Sequence, residues 1–333
     1  MRTLAAMIVL AASGLAGSLT RVRAAESADD GPVYRGCCDA SAAAVINESL
    51  IAVASDEENM IRLYRRGSGG MPVALVRTPV LSGLDPGRNE MDLEGAARIG
   101  DLIFWIGSHS RNDDGEARPA RHILFATRIV GTRLSARLEP EGRPFHGLVP
   151  ALTVDPALDR FRFSVAAGKS GEASGGLNIE ALAAGAGGKL WIGFRNPVPD
   201  GKALMIPLLN PVEVMAGHPA RFGTLVQLAL GGLGLRDAVA VGEGERLLLL
   251  GGPAEGGGKH RLFVWIAGSG TVSEVKGAVP KGFQAESILS VGEPASRQAE
   301  ILSDDGSEKT GGKRCSELGD RSRRAFRSWL VRY

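Results

Sequence analysis

The chain has 333 residues, with 39 Lys and Arg against 37 Asp and Glu, a formal net charge of +2. That balance excludes a protein that holds nucleic acid or an anionic membrane by charge alone. A hydrophobic content of 44% and 46 glycines, with almost no sustained helical periodicity, predict short apolar strands joined by tight turns.

Taken in chain order, residues 1–25 read as a secretory signal. Arg2 precedes the apolar run LAAMIVLAASGLAG, and small residues at Ala24 and Ala25 follow. The run is shorter than the roughly 20 apolar residues a spanning helix needs, so no permanent membrane anchor is expected. A periplasmic or secreted protein is, with residues 26–333 as one domain. Export permits disulfides. Cys37 and Cys38 lie near the mature N-terminus and Cys315 near the C-terminus. A bridge from Cys38 or Cys37 to Cys315 would staple the two ends of the domain together.

Five stretches then share one template: an acidic residue, small and apolar residues, and a short apolar strand. Asp39 leads to LIAVASD, Glu94 to LIFWIGS, Glu180 to KLWIGFRN, Asp237 to RLLLLGG and Glu286 to AEILSDD. The repeat is roughly 50–60 residues, with one longer interval between Glu94 and Glu180, and such a period signals a β-propeller. Third strands are read at MIRLYRR, ILFATRIV, ALMIPLL, RLFVWIA and AFRSWLVRY. Fourth strands are read at VALVRTPV, RLSARLE, FGTLVQLAL and TVSEVKGAV. The expected fold is all-β: five four-stranded blades, a helical insertion at 143–176 in the second, and a ring closed by the N-terminal strand GPVYRG. The alternative is six blades, with 143–176 as a degenerate sixth.

Small residues follow each acid (Ala40, Gly95, Ala181, Ala238 and Ser287), as befits inner strands that converge on an axis. Carboxylates brought together there raise one another's pKa unless a cation or arginines intervene. Calcium is the natural cation, since it takes six to eight oxygens in flexible geometry. Glu94, Glu180 and Glu286 are the expected ligands, with Asp237 and Asn178 as further donors. Pairing with Arg98, Arg195 and Arg236 is the structural alternative. In GFRNPVPDGK, Arg195 presents a planar fork suited to carboxylate or phosphate, Asn196 adds a hydrogen bond, and Lys202 follows a turn. Arg111 occupies the corresponding exit of the second unit. His109, beside it, is the general acid or base on offer. Asp56, Glu57, Asp304 and Asp305 end strands of the first and fifth units and define a possible second cation site at the seam.

CDASAAAV, DLEGAARIGDLIFWIGSHSRN, GLNIEALA, WIGFRNPVPDGKALMIPLLNP, PARFG and LSDDG resemble the bacterial proteins grouped as domain of unknown function 3616, over most of residues 36–329. The resemblance implies no settled activity. More distantly, the repeat is similar to that of phytase-like esterase propellers. No phosphate loop, nucleophile elbow or HExxH is present. Two functions therefore remain. One is a monomeric exported propeller that binds a small anionic ligand or an envelope protein through an acidic funnel. The other is a calcium-dependent hydrolase of phosphate or carboxylic esters, with His109 and Arg195 catalytic.

Overall fold

A computed structural model describes residues 28–83, 87, 89–242, 245–291 and 297–333. The predicted signal at 1–25 lies outside them. Two short strands come first, β1 (Ala28–Asp30) and β2 (Tyr34–Arg35). The first sheet is β3 (Ala42–Val45), β4 (Leu50–Ala54), β5 (Met60–Arg65) and β6 (Ala74–Arg77). The second is β7 (Leu93–Ile99), β8 (Leu102–Gly107), β9 (Leu124–Val130) and β10 (Arg137–Phe145). The third is β11 (Asn178–Ala184), β12 (Leu190–Asn196), β13 (Ala203–Leu208) and β14 (Val226–Leu228). The fourth is β15 (Gly234–Ala240), β16 (Arg246–Gly252), β17 (Arg261–Ile266) and β18 (Thr271–Val275). The protein is thus all-β, built mainly of antiparallel four-stranded sheets.

The last four-stranded sheet joins the two ends of the chain. Its first two strands are β19 (Ala285–Val291) and β20 (Gln298–Ser303). Two short hairpin strands, β21 (Lys309–Thr310) and β22 (Lys313–Arg314), and the short β23 (Ala325–Phe326) intervene. The third strand of the sheet is β24 (Ser328–Arg332), and β1 supplies the fourth, pairing Ala28 with Val331. The expected N-terminal strand is therefore present but displaced. GPVYRG does not fill the outer position; its Tyr34 and Arg35 pair instead with Phe326 and Ala325. Three residues of ADD suffice at the edge, and Gly31 and Pro32 then turn the chain inward. Cys38 and Cys315 form the disulfide, with Cα atoms 5.8 Å apart, and Cys37 is a buried free thiol.

Second strands such as LIAVA and LIFWIG are buried along their whole length. They are covered on both faces by neighbouring sheets, so they read as unbroken apolar runs rather than alternating ones. Trp105, fully buried, satisfies its indole by donating from Nε1 to Thr127 Oγ1 at 3.0 Å. The first strands β3, β7, β11, β15 and β19 each touch the next in that order, and β19 also touches β3. Small residues permit this approach. A Cβ on Gly95 would lie 2.9 Å from the Cβ of Leu182 on the following sheet. Residues 146–177 carry helices α1 (Leu148–Val154) and α2 (Phe163–Ala166) around a 3₁₀ segment, Pro156–Phe161, and no additional sheet among the described residues. Leu148, Leu152, Phe161 and Phe163 bury this insertion against the second and third sheets. It is helical, as expected.

Candidate functional site

Where the first strands begin, a cavity of about 350 Å³ opens. Its walls include Asp56, Asp92, Glu94, Glu180, Glu286 and Asp304, with Arg111, Arg121, Arg195, Arg236 and His260 among them. Among the described residues no Phe, Tyr or Trp lines it.

One backbone device aims the central side chains. Along β7, β11, β15 and β19, the register with the second strand slips by one residue. The slips leave Glu94, Glu180, Arg236 and Glu286 out of the ladder. Such a bulge re-aims the extra residue's side chain. The fourth sheet therefore contributes Arg236 at the equivalent place, and the repeat read from the sequence is one residue late there. Asp237 is not part of the cavity wall. Its carboxylate accepts from the backbone amides of Ala238 (2.7 Å) and Ile288 (2.8 Å), tying β15 to β19. Burial raises the Asp237 carboxyl well above its usual range, against the lowering effect of those amides. The first sheet has no matching acid in the cavity either. Asp39 is buried beneath it, accepting from Ser41 Oγ (3.1 Å) and Ser55 Oγ (2.9 Å).

Glu94, Glu180 and Glu286 do converge, each offering an oxygen within 4.8 Å of the others. Arginines already serve two of them. Arg236 Nη1 lies 3.0 Å from Glu180, and Arg236 Nη2 contacts Glu286. Arg195 Nη1 lies 2.9 Å from Glu180, while its Nη2 reaches Glu172 at 3.0 Å and its Nε donates to the Pro253 carbonyl at 3.0 Å. Gly234 makes room for this exit, since a Cβ there would fall 1.9 Å from the Arg195 carbonyl oxygen. Arg98 takes no part; it donates to the carbonyls of Gly100, Val45 and Ile46.

Glu94 differs from its neighbours. It is 7% exposed, and among the described residues it makes no hydrogen bond or ion pair. Burial, then the nearby Glu180, Asp92 and Asp56, raise its carboxyl well above the usual range. Its oxygen also lies within 4.8 Å of ligand atoms of Asp56 and Asp92. Asp92 accepts from Ser108 Oγ and pairs with Arg121 at 2.9 Å. Burial pushes Asp92 up to about 7 although Arg121 pulls it down. Glu286 also stands at about 7, raised by burial and held back by Arg236. Asn178, 6% exposed, donates to Glu180 at 2.8 Å, and its own Oδ1 accepts nothing.

The remaining expected residues divide. Arg111 lines the cavity, with its donors on the carbonyls of Ala167 and Gly115. Asn196 supports the wall from behind. Its Nδ2 donates to the carbonyls of Gly171 (3.0 Å) and Ala173 (2.7 Å), fixing the loop that brings Glu172 to the rim. Lys202 is exposed and does not line the cavity, and neither does His109. His109 is 2% exposed, with Nδ1 bound to the Gly107 carbonyl at 2.8 Å and Nε2 unpartnered. Burial lowers it to about 3, so it is neutral at ordinary pH. The imidazole that does line the cavity is His260, lowered to about 4 by burial and by Arg236 and Arg195.

Of the seam acids, Asp56 and Asp304 line the same cavity, so the proposed second site and the funnel are one space. Asp305 is held by Arg327 at 2.7 Å, and Glu57 is exposed. Asp92, two residues before Glu94, lines the cavity although it is no part of the acidic repeat. Its one signal in the sequence is the alternation of Glu90, Asp92 and Glu94.

Fold and site together define an all-β protein of antiparallel four-stranded sheets with a strongly acidic, arginine-braced cavity at one end of its first strands. The chain belongs to the family described as "Protein of unknown function (DUF3616)", whose model matches residues 115–300. No curated protein matches it in sequence. Among solved structures it is similar to the glutaminyl cyclase of Myxococcus xanthus, at 13% identity and a TM-score of 0.44, over 91% of this chain and 96% of that one. It is also similar to the Cps50 (Swd1) beta-propeller domain of Myceliophthora thermophila, at 11% identity and a TM-score of 0.37, over 91% and 99%. The aldose sugar dehydrogenase of Streptomyces coelicolor gives 11% identity and a TM-score of 0.44, over 92% and 98%. Likeness at this level says nothing about chemistry.

Proposed function

We propose that the protein is an exported five-bladed β-propeller, closed by its N-terminal strand, which binds a small anionic ligand at the acidic end of its axis through a bound calcium ion. The cyclic order of first-strand contacts and the pairing of β1 with β24 support the ring. The Cys38–Cys315 disulfide and the signal-like residues 1–25 support a periplasmic or secreted location. Among the described residues, no helix is long and apolar enough to cross a membrane.

One observation carries the cation: Glu94 is buried, has no hydrogen-bond or ion-pair partner among the described residues, and lies within reach of four further carboxylates. An unpartnered buried charge is costly, and a hard divalent ion with oxygen ligands relieves it. Arg111 and Arg195 at the walls supply the anion-facing side.

Calcium titration by calorimetry, with thermal unfolding in chelator and in excess calcium, tests this reading. Saturation near 100 times the dissociation constant should stabilise by about 2.7 kcal/mol. No heat and identical melts would remove it. Hydrolysis of phosphate or carboxylic esters is the second reading, and His260 favours it, as a neutral imidazole in the cavity wall. A panel of such esters, assayed with calcium on wild type and His260→Ala, decides that point.

A further inference from the structure

We infer that the cation sits between Asp56, Asp92 and Glu94, at the junction of the first two sheets, and that the trio Glu94, Glu180 and Glu286 already holds the protein's own cation, Arg236. This deepens the calcium reading and rests on it.

Both trios bring one oxygen from each acid within 4.8 Å of the others, and they share Glu94. They differ in what already neutralises them. The guanidinium of Arg236 contacts both Glu180 and Glu286, and Arg195 adds a second positive charge at Glu180. Three carboxyl groups there face two fixed positive charges. An entering ion would have to displace the Arg236 guanidinium or share its carboxylate oxygens. In the other trio only Arg121 intervenes among the described residues, on Asp92 at 2.9 Å. Asp304 lines the same cavity and adds another negative charge. Three carboxyl groups plus Asp304 thus face one paired arginine, and this side of the cavity has the greater excess of carboxyl groups over arginines.

The unpartnered group belongs to both trios, so it does not choose between them; the arginines do. Glu94 is 7% exposed and lines the cavity without a partner. Asp56 is half-buried, and among its oxygens Oδ1 accepts from the Glu57 amide at 2.8 Å. Asp39 and Ser41 also hold this carboxyl, and one of its oxygens still lies within 4.8 Å of those of Asp92 and Glu94. The donors are all oxygen, with no thiolate or imidazole in the trio, which selects a hard ion over zinc or copper. Calcium's six to eight ligands are then met by the three carboxylates and water, for which the cavity has room. Among the described residues no Phe, Tyr or Trp lines the cavity, which argues against an organic ammonium, held by the faces of such rings.

The test is calcium titration of the whole chain by calorimetry, comparing wild type with Asp56→Asn, Asp92→Asn and Glu286→Gln. Thermal melts in chelator identify any variant that fails to fold. Asp56→Asn, which breaks no ion pair among the described residues, keeps the test decisive if Asp92→Asn does not fold. One calcium per chain is expected for wild type. Asp56→Asn and Asp92→Asn should weaken it at least tenfold, whereas Glu286→Gln should change it less than threefold. Loss of binding in Glu286→Gln with wild-type affinity in Asp56→Asn would overturn this placement and leave the calcium reading standing. Absence of calcium binding in wild type would overturn both.

Discussion

Arg236, on the first strand of one sheet, holds Glu180 of the preceding sheet at 3.0 Å, with Glu180 buried and Arg236 only 11% exposed. Glu180 also receives Arg195, so one carboxylate balances two guanidinium groups. Removing one partner of a buried pair leaves a charge without compensation and costs about 3–5 kcal/mol. Glu180→Gln, which keeps the size and loses the charge, should therefore destabilise by about 3 kcal/mol or more and retain calcium binding. Urea unfolding in chelator measures the first effect. A variant as stable as wild type would mean that Arg195 and Arg236 find other partners.

The disulfide between Cys38 and Cys315 spans 277 residues of sequence. Its loss should cost about 2–5 kcal/mol, most of it through the freedom regained by the unfolded chain. Cys315→Ser and reduced wild type should melt at the same, lower temperature. The adjacent Cys37 does not take over in the folded state. Burial pushes its thiol up to about 12, so it stays protonated and should resist alkylation at pH 8 until denaturant is added. Rapid labelling of native protein would contradict its burial.

His109 carries a pH signature. Its folded value is lowered from 6.5 to about 3, by burial and by His122, whose ring lies 5.4 Å away; His146 adds to this. The unfolded chain thus binds more protons between these limits. The contribution of His109 is full above pH 6.5 and is lost as pH falls towards 3, at no more than about 1.4 kcal/mol per unit. Cavity carboxylates with raised values act in the opposite sense, so the comparison must be differential. His109→Asn, which tolerates the residue's φ of 55°, should flatten the acid limb of stability between pH 6.5 and 4. An unchanged slope would show that the imidazole does not govern it.

The sequence by itself determined the strand pattern, the acidic repeat and the proximity of the chain ends. These are local or periodic features: a second strand such as LIFWIG is covered on both faces, so its composition announces it. It also placed Glu94, Glu180 and Glu286 on one axis, because small residues such as Gly95 mark strands that approach closely. Two decisions belonged to the tertiary structure. A one-residue slip in register puts Arg236 rather than Asp237 in the cavity, and no linear spacing records where a ladder slips. Likewise, His109 is two residues from the wall residue Arg111 and yet does not line the cavity, while His260, from a loop with no repeat signature, does. Which charged groups meet depends on contacts between sheets far apart in sequence. Arg236 reaches Glu180 and Glu286 only because three successive first strands lie side by side.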